Sequence, residues 1–228
     1  MLTALVVAAG QSERMSGRGE KTLMPILGRP LIVHTLALFC RSRAVDQIVL
    51  VTALPHLAIM QQIVQDYGLH KVCAIIPGGK TRQESVYLGL TNVSRESSHV
   101  AIHDGDRPCL GDNELQAVLQ DGMTSGAAIL AVPVKDTIKR VSLGVEVETP
   151  DRSELWAAQT PQVFCLAWIV AAHERARSSG LWATDDAALL TAMGKAVHIT
   201  QGVYTNIKVT TPEDLPMAEM ILSGRCAR

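Results

Sequence analysis

The first stretch equipped for chemistry is Ala8-Ala9-Gly10-Gln11-Ser12-Glu13-Arg14-Met15, continuing through Ser16-Gly17-Arg18-Gly19-Glu20-Lys21. Glycine and alanine let backbone N–H groups converge on one centre, and Arg14 and Lys21 add positive charge, a combination suited to a polyphosphate. The segment is not G-x-G-x-x-G, because no second glycine follows Gly10 until Gly17. The plain alternative, a surface loop with turn-forming glycines and solvated cations, is evenly matched on the pattern alone. A second segment, Ala74-Ile75-Ile76-Pro77-Gly78-Gly79-Lys80-Thr81, fits the degenerate phosphate-binding P-loop, with Val100 to Asp104 as the apolar run ending in a magnesium-holding Asp. Ile75 and Ile76 nevertheless read as the end of a buried strand, and Pro77 removes an amide donor, so a P-loop NTPase is the lesser expectation. The plainer reading is a strand-to-helix turn that, with Ser85 one turn into the next helix, lines a ligand site.

His103-Asp104-Gly105-Asp106-Arg107-Pro108 places two carboxylates beside an Arg, which suits a divalent ion and hydroxyl or phosphate groups. The bland version has Asp104 capping a turn with Arg107 as its surface partner. His103 fits a satisfied near-core histidine better than a metal ligand, since no His or Cys accompanies it at ligand spacing. Lys135 to Arg140, Arg152 and Gln159-Thr160-Pro161-Gln162 form a further polar set, and Asn206-Ile207-Lys208-Val209-Thr210 embeds Asn and Lys in a strand that leads into the last helix. Cations in such places are most often solvated. Neither G-x-S-x-G nor H-E-x-x-H occurs, which leaves hydrolase and metalloprotease readings without support.

These segments need a scaffold, and the chain's periodicity predicts one. Short apolar runs at Thr3 to Ala8, Gln47 to Thr52, Val72 to Ile76, Val100 to His103 and Ala127 to Val134 alternate with helical patterns at Leu31 to Cys40, Leu57 to Tyr67, Gln83 to Asn92 and Asn113 to Gly122. Near-continuous apolar strands with helical crossovers predict an α/β fold around a parallel sheet covered on both faces. In such a sheet the Gly10 and Asp104 segments follow strand carboxyl ends, where ligands bind. Beyond Val134 two alternating strands, Thr137 to Val141 and Val145 to Glu148, predict a hairpin with little apolar surface of its own, which must pack on something, such as a second subunit. Then come helices at Leu166 to Ser178 and after Thr184-Asp185, a strand at Ala196 to Thr200, the run Asn206 to Thr210, and a last helix capped by Thr211 with Pro212 in its first turn. With no repeat or linker, residues 1–228 make one domain, and 135–153 its projecting arm.

Composition narrows the function classes. Twenty-one Lys plus Arg against 22 Asp plus Glu give a formal charge of -1, so there is no basic excess for a nucleic-acid backbone. At 47% apolar and 19% charged, the chain is suited to a packed core rather than disorder. The uncharged stretches 47–65 and 155–173 contain Pro, Gln and His and are not convincing membrane spans. The apolar start, Leu2 to Gly10, is not preceded by basic residues and reads as a strand rather than a signal peptide. Five scattered cysteines without a C-x-x-C pair predict reduced thiols in a cytoplasm.

In order and spacing these segments closely resemble the 2-C-methyl-D-erythritol 4-phosphate cytidylyltransferase family over nearly the whole chain. The carriers are Ala8 to Met15 with Lys21, Gly28 to Leu31, Gly78-Gly79 through Ser85, His103 to Cys109, Pro133 to Arg140, Trp156 to Phe164, Thr184 to Ala187, and Asn206 to Leu215. The resemblance implies a three-layer Rossmann-like, mostly parallel sheet of the nucleotide-diphospho-sugar transferase type. It implies attack of a sugar-phosphate oxygen on the α-phosphorus of CTP with release of pyrophosphate, in non-mevalonate isoprenoid synthesis. Arg14, Lys21 and Lys208 would be catalytic, and Ala8, Ala9, Gly10, Gly79, Ser85 and Asp104 would hold the nucleotide. Asp104, Gly105, Arg107, Thr137, Arg152, Thr160, Thr184 and Lys208 would hold the acceptor, and Asp104 would face Mg2+ or another divalent cation. The arm would reach into the partner of a homodimer. Glu20 and Thr22 flank Lys21 where the family usually has Pro and Gln; Asp106 replaces a small apolar residue and Lys80 an acidic one. The rival readings are a cytidylyltransferase for an alditol phosphate such as ribitol 5-phosphate, the P-loop NTPase, and a non-catalytic nucleotide-binding module.

Overall fold

The computed structural model describes residues 1–10 and 20–226. Besides a short antiparallel pair, Pro25–Ile26 with Arg29–Pro30, its strands are β1 (Leu2–Ala8), β2 (Gln47–Thr52), β3 (Val72–Pro77), β4 (His99–Asp104), β5 (Ala127–Pro133), β6 (Arg140–Ser142), β7 (Val145–Glu148), β8 (Trp156–Cys165) and β9 (His198–Gln201). The α-helices are α1 (Leu31–Arg41), α2 (Leu57–Asp66), α3 (Arg82–Leu90), α4 (Asp112–Ser125), α5 (Leu166–Ser179), α6 (Asp186–Thr191) and α7 (Asp214–Cys226). Seven strands form one sheet in the order β9-β5-β8-β4-β1-β2-β3. Only β8 runs against its neighbours; the other pairings are parallel.

The chain builds outward from β1 through β2 to β3, then returns across the sheet to lay β4 on the other side of β1. That reversal leaves a crevice outside the carboxyl ends of β1 and β4, the ligand position of open α/β sheets. β1 is buried at every residue, and its side chains divide by the two-residue period of a strand. Ala4, Val6 and Ala8 join the layer containing Leu36, Phe39 and Val118 from α1 and α4, while Leu5 and Val7 join Val86, Ile169 and Leu190 from α3, α5 and α6. Each large side chain fully buried in these layers contributes roughly 1.5–3 kcal/mol, which makes β1 and β4 the rigid floor of the crevice.

Local sequence fixes the helix ends that matter for the site. Thr81 caps α3 by accepting from the Glu84 N–H at 3.0 Å, and the Glu84 carboxylate reaches back to the Lys80 N–H at 2.8 Å, a reciprocal use of the T-x-x-E spacing. In the preceding turn Gly78 packs so closely that a Cβ would run into the Ala9 methyl and come within 2.8 Å of Ser85 Oγ. α4 ends at Gly126, whose φ of +83° is the left-handed conformation that glycine adopts freely.

One further strand is present, and two local expectations are corrected. Trp156–Cys165 is a strand, although Pro161 interrupts its pattern; the pairing to β5 shifts register between Ala158 and Gln162, and the Thr160–Pro161 peptide is cis. Asn206 to Thr210 is not a strand but a strap fixed by Asn206, whose amide donates to Gln159 Oε1 at 3.1 Å and to the Thr160 carbonyl at 3.0 Å. α7 begins at Asp214, three residues after the expected cap Thr211, and the Asp214 carboxylate accepts the N–H groups of Thr210 and Thr211, which precede the helix, at 2.7 and 2.9 Å. The arm hairpin, β6 and β7, turns through Leu143 and Gly144, both at positive φ, as a two-residue hairpin requires. Val141, Leu143, Val145 and Val147 on it are exposed.

Candidate active site

The crevice at the ends of β1 and β4 is a cavity of about 370 Å³. Ala8, Ala9 and Gly10 from the end of β1 line one side; Gly79 and Ser85 from the β3–α3 turn, with Lys80 and Arg82, line another; Glu20, Lys21, Asp104, Asp106 and Lys208 are the other charged groups on its wall. The Gly79 N–H donates to Ser85 Oγ at 3.1 Å, and that hydroxyl donates to the Thr81 carbonyl at 2.8 Å. A larger groove of about 810 Å³ runs between α1, the start of α4 and α7, past Val33, Leu38 and Leu110, and shares no residue with the strand-end cluster.

Asp104 is the hub. Its Oδ2 accepts Lys208 Nζ at 2.8 Å and lies 3.7 Å from Arg107 Nε, while Oδ1 accepts Arg82 Nε at 3.1 Å. Arg82 is held from behind by Asp186 Oδ2 at 2.7 Å, and Asp186 Oδ1 meets His173 Nε2 at 3.1 Å in the core. Asp106 pairs with Lys21 at 2.5 Å and lies 3.9 Å from Lys208. Among the described residues, Lys21, Lys80, Arg82 and Lys208 line the cavity against Glu20, Asp104 and Asp106, four positive groups against three negative, an excess of one positive charge for an anion. Burial alone would raise the Asp104 carboxyl, but Arg82 first, then Lys208 and Arg107, hold it well below the usual carboxylate range. Asp186 is also depressed, its burial outweighed by Arg82 and His173. For Asp106 burial prevails and its carboxyl is pushed up, with Asp104 adding to the rise against the pull of Lys208 and Lys21.

His103 supports the hub from below. The Asp104 N–H donates to Thr160 Oγ1 at 3.1 Å, so the Thr160 proton points to His103 Nδ1 at 3.0 Å. His103 Nε2–H then donates to the Arg107 carbonyl at 3.2 Å, which assigns the neutral tautomer. Complete burial lowers its pKa to about 4, in keeping with that assignment. It is a satisfied core histidine and lies beneath the site.

Of the residues singled out in the sequence, the fold gathers Ala8, Ala9, Gly10, Lys21, Gly79, Ser85, Asp104 and Lys208 around one cavity. Gly105, Arg107 and Thr160 lie directly behind: the Gly105 N–H donates to the Val7 carbonyl at 2.8 Å, and Arg107 Nη1 donates to the Asn206 carbonyl at 2.9 Å. Arg14 lies outside the described residues. Thr137, Arg152 and Thr184 are exposed and do not line the cavity of their own chain; Arg152 Nη1 donates to the Lys135 carbonyl at 2.8 Å at the base of the arm. Sequence reasoning did not single out Arg82, nor His173 as the group behind Asp186. The one available signal was Arg at the first position of α3, directly after its threonine cap. The lesser P-loop reading fails as expected: Ile75 and Ile76 lie inside β3, and Lys80, although on the cavity wall, is exposed.

An open sheet with a net-positive, glycine- and serine-walled crevice at its switch point defines an α/β enzyme built to hold a phosphorylated ligand. The family model "IspD: 2-C-methyl-D-erythritol 4-phosphate cytidylyltransferase" matches residues 2–224. The 2-C-methyl-D-erythritol 4-phosphate cytidylyltransferase of Geobacillus kaustophilus is 46% identical over 225 residues, 98% of each chain. That of Desulforamulus reducens is 41% identical over 226 residues, 98% of this chain and 97% of the other. The crystal structure of 4-diphosphocytidyl-2C-methyl-D-erythritol synthase from Anaerococcus prevotii superposes with a TM-score of 0.86 at 29% identity, covering 97% of this chain and 98% of that one. The chain belongs to the 2-C-methyl-D-erythritol 4-phosphate cytidylyltransferase family.

Proposed function

We propose that this enzyme joins CTP to 2-C-methyl-D-erythritol 4-phosphate, giving 4-diphosphocytidyl-2-C-methyl-D-erythritol and pyrophosphate in non-mevalonate isoprenoid synthesis. The observation that carries the reading is the excess of positive charge at the β1 and β4 ends, beside the Gly79–Ser85 wall. A phosphate oxygen of the acceptor forms a bond to the α-phosphorus of CTP, and the bond from that phosphorus to the pyrophosphate oxygen breaks. The attacking group is already an anion, so positioning and charge stabilisation do most of the work.

In this scheme Lys21, with Arg14, grips the triphosphate, and Lys208 stabilises charge on the reacting phosphoryl group. Ala8, Ala9 and Gly10 approach the phosphates through their backbone, and Gly79 and Ser85 meet the cytosine edge. Asp104 holds Lys208 and Arg82 in place and meets an acceptor hydroxyl; Gly105, Arg107, Thr160 and Thr184 belong to the acceptor side. The exposed apolar arm suits a homodimer, in which Thr137 and Arg152 would complete the partner's acceptor pocket.

A magnesium ion commonly takes one or two protein carboxylates and fills its remaining positions with phosphate oxygens and water. Asp104 and Asp106 fit that use: both line the cavity, and Asp106 Oδ1 is buried without a hydrogen bond. Among the described residues there is no cluster of three or more His, Cys, Asp or Glu able to hold a metal by itself. Asp104 and Asp106 would hold the ion, which would supply positive charge to offset the negative charge of the triphosphate. No described helix is long and apolar enough to cross a membrane. Five scattered cysteines without a C-x-x-C pair are the feature that supports a cytoplasmic location.

The test is pyrophosphate release across nucleoside triphosphates and acceptors with magnesium. CTP with 2-C-methyl-D-erythritol 4-phosphate should be the preferred pair; a preference for ribitol 5-phosphate, or no turnover despite CTP binding, would overturn the assignment.

A further inference from the structure

Asp106 sits at the point where the proposed triphosphate should bind. Its carboxylate pairs with Lys21 at 2.5 Å and lies 3.9 Å from Lys208, the two cations assigned to the phosphates. Its side chain is only 9% exposed, it lines the cavity, and its Oδ1 has no hydrogen-bond partner. A buried carboxylate oxygen without a donor is costly unless a cation completes it. Asp104 differs, because Arg82 and Lys208 donate directly to its two oxygens.

We propose that Asp106 is a built-in counter-anion that discriminates against metal-free nucleotide: it neutralises Lys21 and Lys208 in the empty site and passes to the divalent cation when the cation–nucleotide complex enters. The inference rests on the proposed CTP site and extends it. When Lys21 and Lys208 turn to phosphate oxygens, Asp106 loses both counter-charges while several negative charges arrive beside it. A bare triphosphate offers nothing in return, whereas a cation carried on the phosphates supplies the missing positive charge and a use for Oδ1. Pairing with Lys21 also keeps that ammonium oriented towards the cavity before nucleotide binds. The position therefore sets which form of the nucleotide is admitted, a role separate from holding the phosphates.

Calorimetric titration of CTP, in chelator and in magnesium and without acceptor, tests this in the wild type, Asp106→Asn and Asp106→Ala. Asn keeps the shape and removes the charge. Both variants should bind metal-free CTP at least ~10-fold more tightly than wild type, the scale of one uncompensated like charge near a partly buried site, and the gain from magnesium should shrink accordingly. Manganese titration followed by its paramagnetic resonance, with CTP present, should show weaker ion binding in both variants. Circular dichroism identifies any variant that fails to fold, and the Asn variant preserves the packing. Unchanged or weaker metal-free CTP binding in folded Asp106→Asn overturns the inference, as does a gain confined to the Ala variant, which would indicate added space rather than removed charge. Wild-type protein that does not bind magnesium–CTP overturns the substrate assignment, and this inference with it.

Discussion

His103 makes acid stability a measurable consequence of the fold. The ring is fully buried and neutral, with a pKa lowered by burial from 6.5 to about 4. The unfolded chain therefore takes up a proton at this side chain near pH 6.5, while the folded chain refuses it until about pH 4. Stability from this group is complete above pH 6.5 and is lost as pH falls from there towards 4. At pH 4.5 the gap of about two pKa units then open is worth on the order of 2–3 kcal/mol. For a chain of this size that is a fall in Tm of roughly 4–12 °C between pH 7.5 and 4.5. His103→Gln removes the titration while retaining an acceptor for the Thr160 hydroxyl and a donor for the Arg107 carbonyl. The variant starts from a lower Tm because the ring contact with Phe39, 5.1 Å between centroids, is lost. The informative quantity is the slope of Tm against pH. His99, also lowered by partial burial, is present in both proteins and cancels in the comparison. Equal slopes for wild type and His103→Gln between pH 7.5 and 4.5 would refute the buried neutral histidine.

Three further outcomes follow from the same geometry. Lys21→Ala should lower turnover with CTP at least ~100-fold, as loss of a preorganised charge-stabilising donor does, and should cost ~1–3 kcal/mol in unfolding because the buried Asp106 loses its partner; near wild-type turnover in the folded variant would remove Lys21 from the chemistry. Asp186→Asn deprives Arg82 of its shorter ion contact; because Arg82 is 28% exposed, the cost should sit near the low end for a broken buried pair, ~2–3 kcal/mol by denaturant unfolding, with a reduced kcat from a less constrained Asp104. Paired Val145→Asp and Val147→Asp substitutions on the exposed arm should shift sedimentation towards monomer and raise KM for the acceptor more than for CTP; an unchanged association state would separate the arm from assembly.

The elements most legible in the sequence are those whose cause is local. β1 reads as a strand because a strand buried on both faces is apolar at consecutive residues, and α3 begins at Thr81 because its cap and Glu84 lie three positions apart. The loop ends of β1 and β4 were legible as a ligand edge because strand direction and crossover handedness leave little choice. Trp156–Cys165 was not legible, since the proline and glutamines in it obscure any period, and its pairing with both β4 and β5 is decided by sheet order rather than by its own pattern. The same reasoning applies within the site. Lys21, Asp104 and Lys208 lie in segments whose composition already points to phosphate chemistry, whereas Arg82 owes its role to Asp186, 104 residues further on, and to His173 behind it. An arginine at the start of a helix carries no mark of function until a buried acid from another helix of its layer, distant in sequence, fixes its guanidinium. That fixation turns a surface cation into part of the support for Asp104, and so for Lys208. Substitutions at Asp186 should accordingly reach the chemistry through Arg82 and Asp104, although Asp186 itself lies in the core.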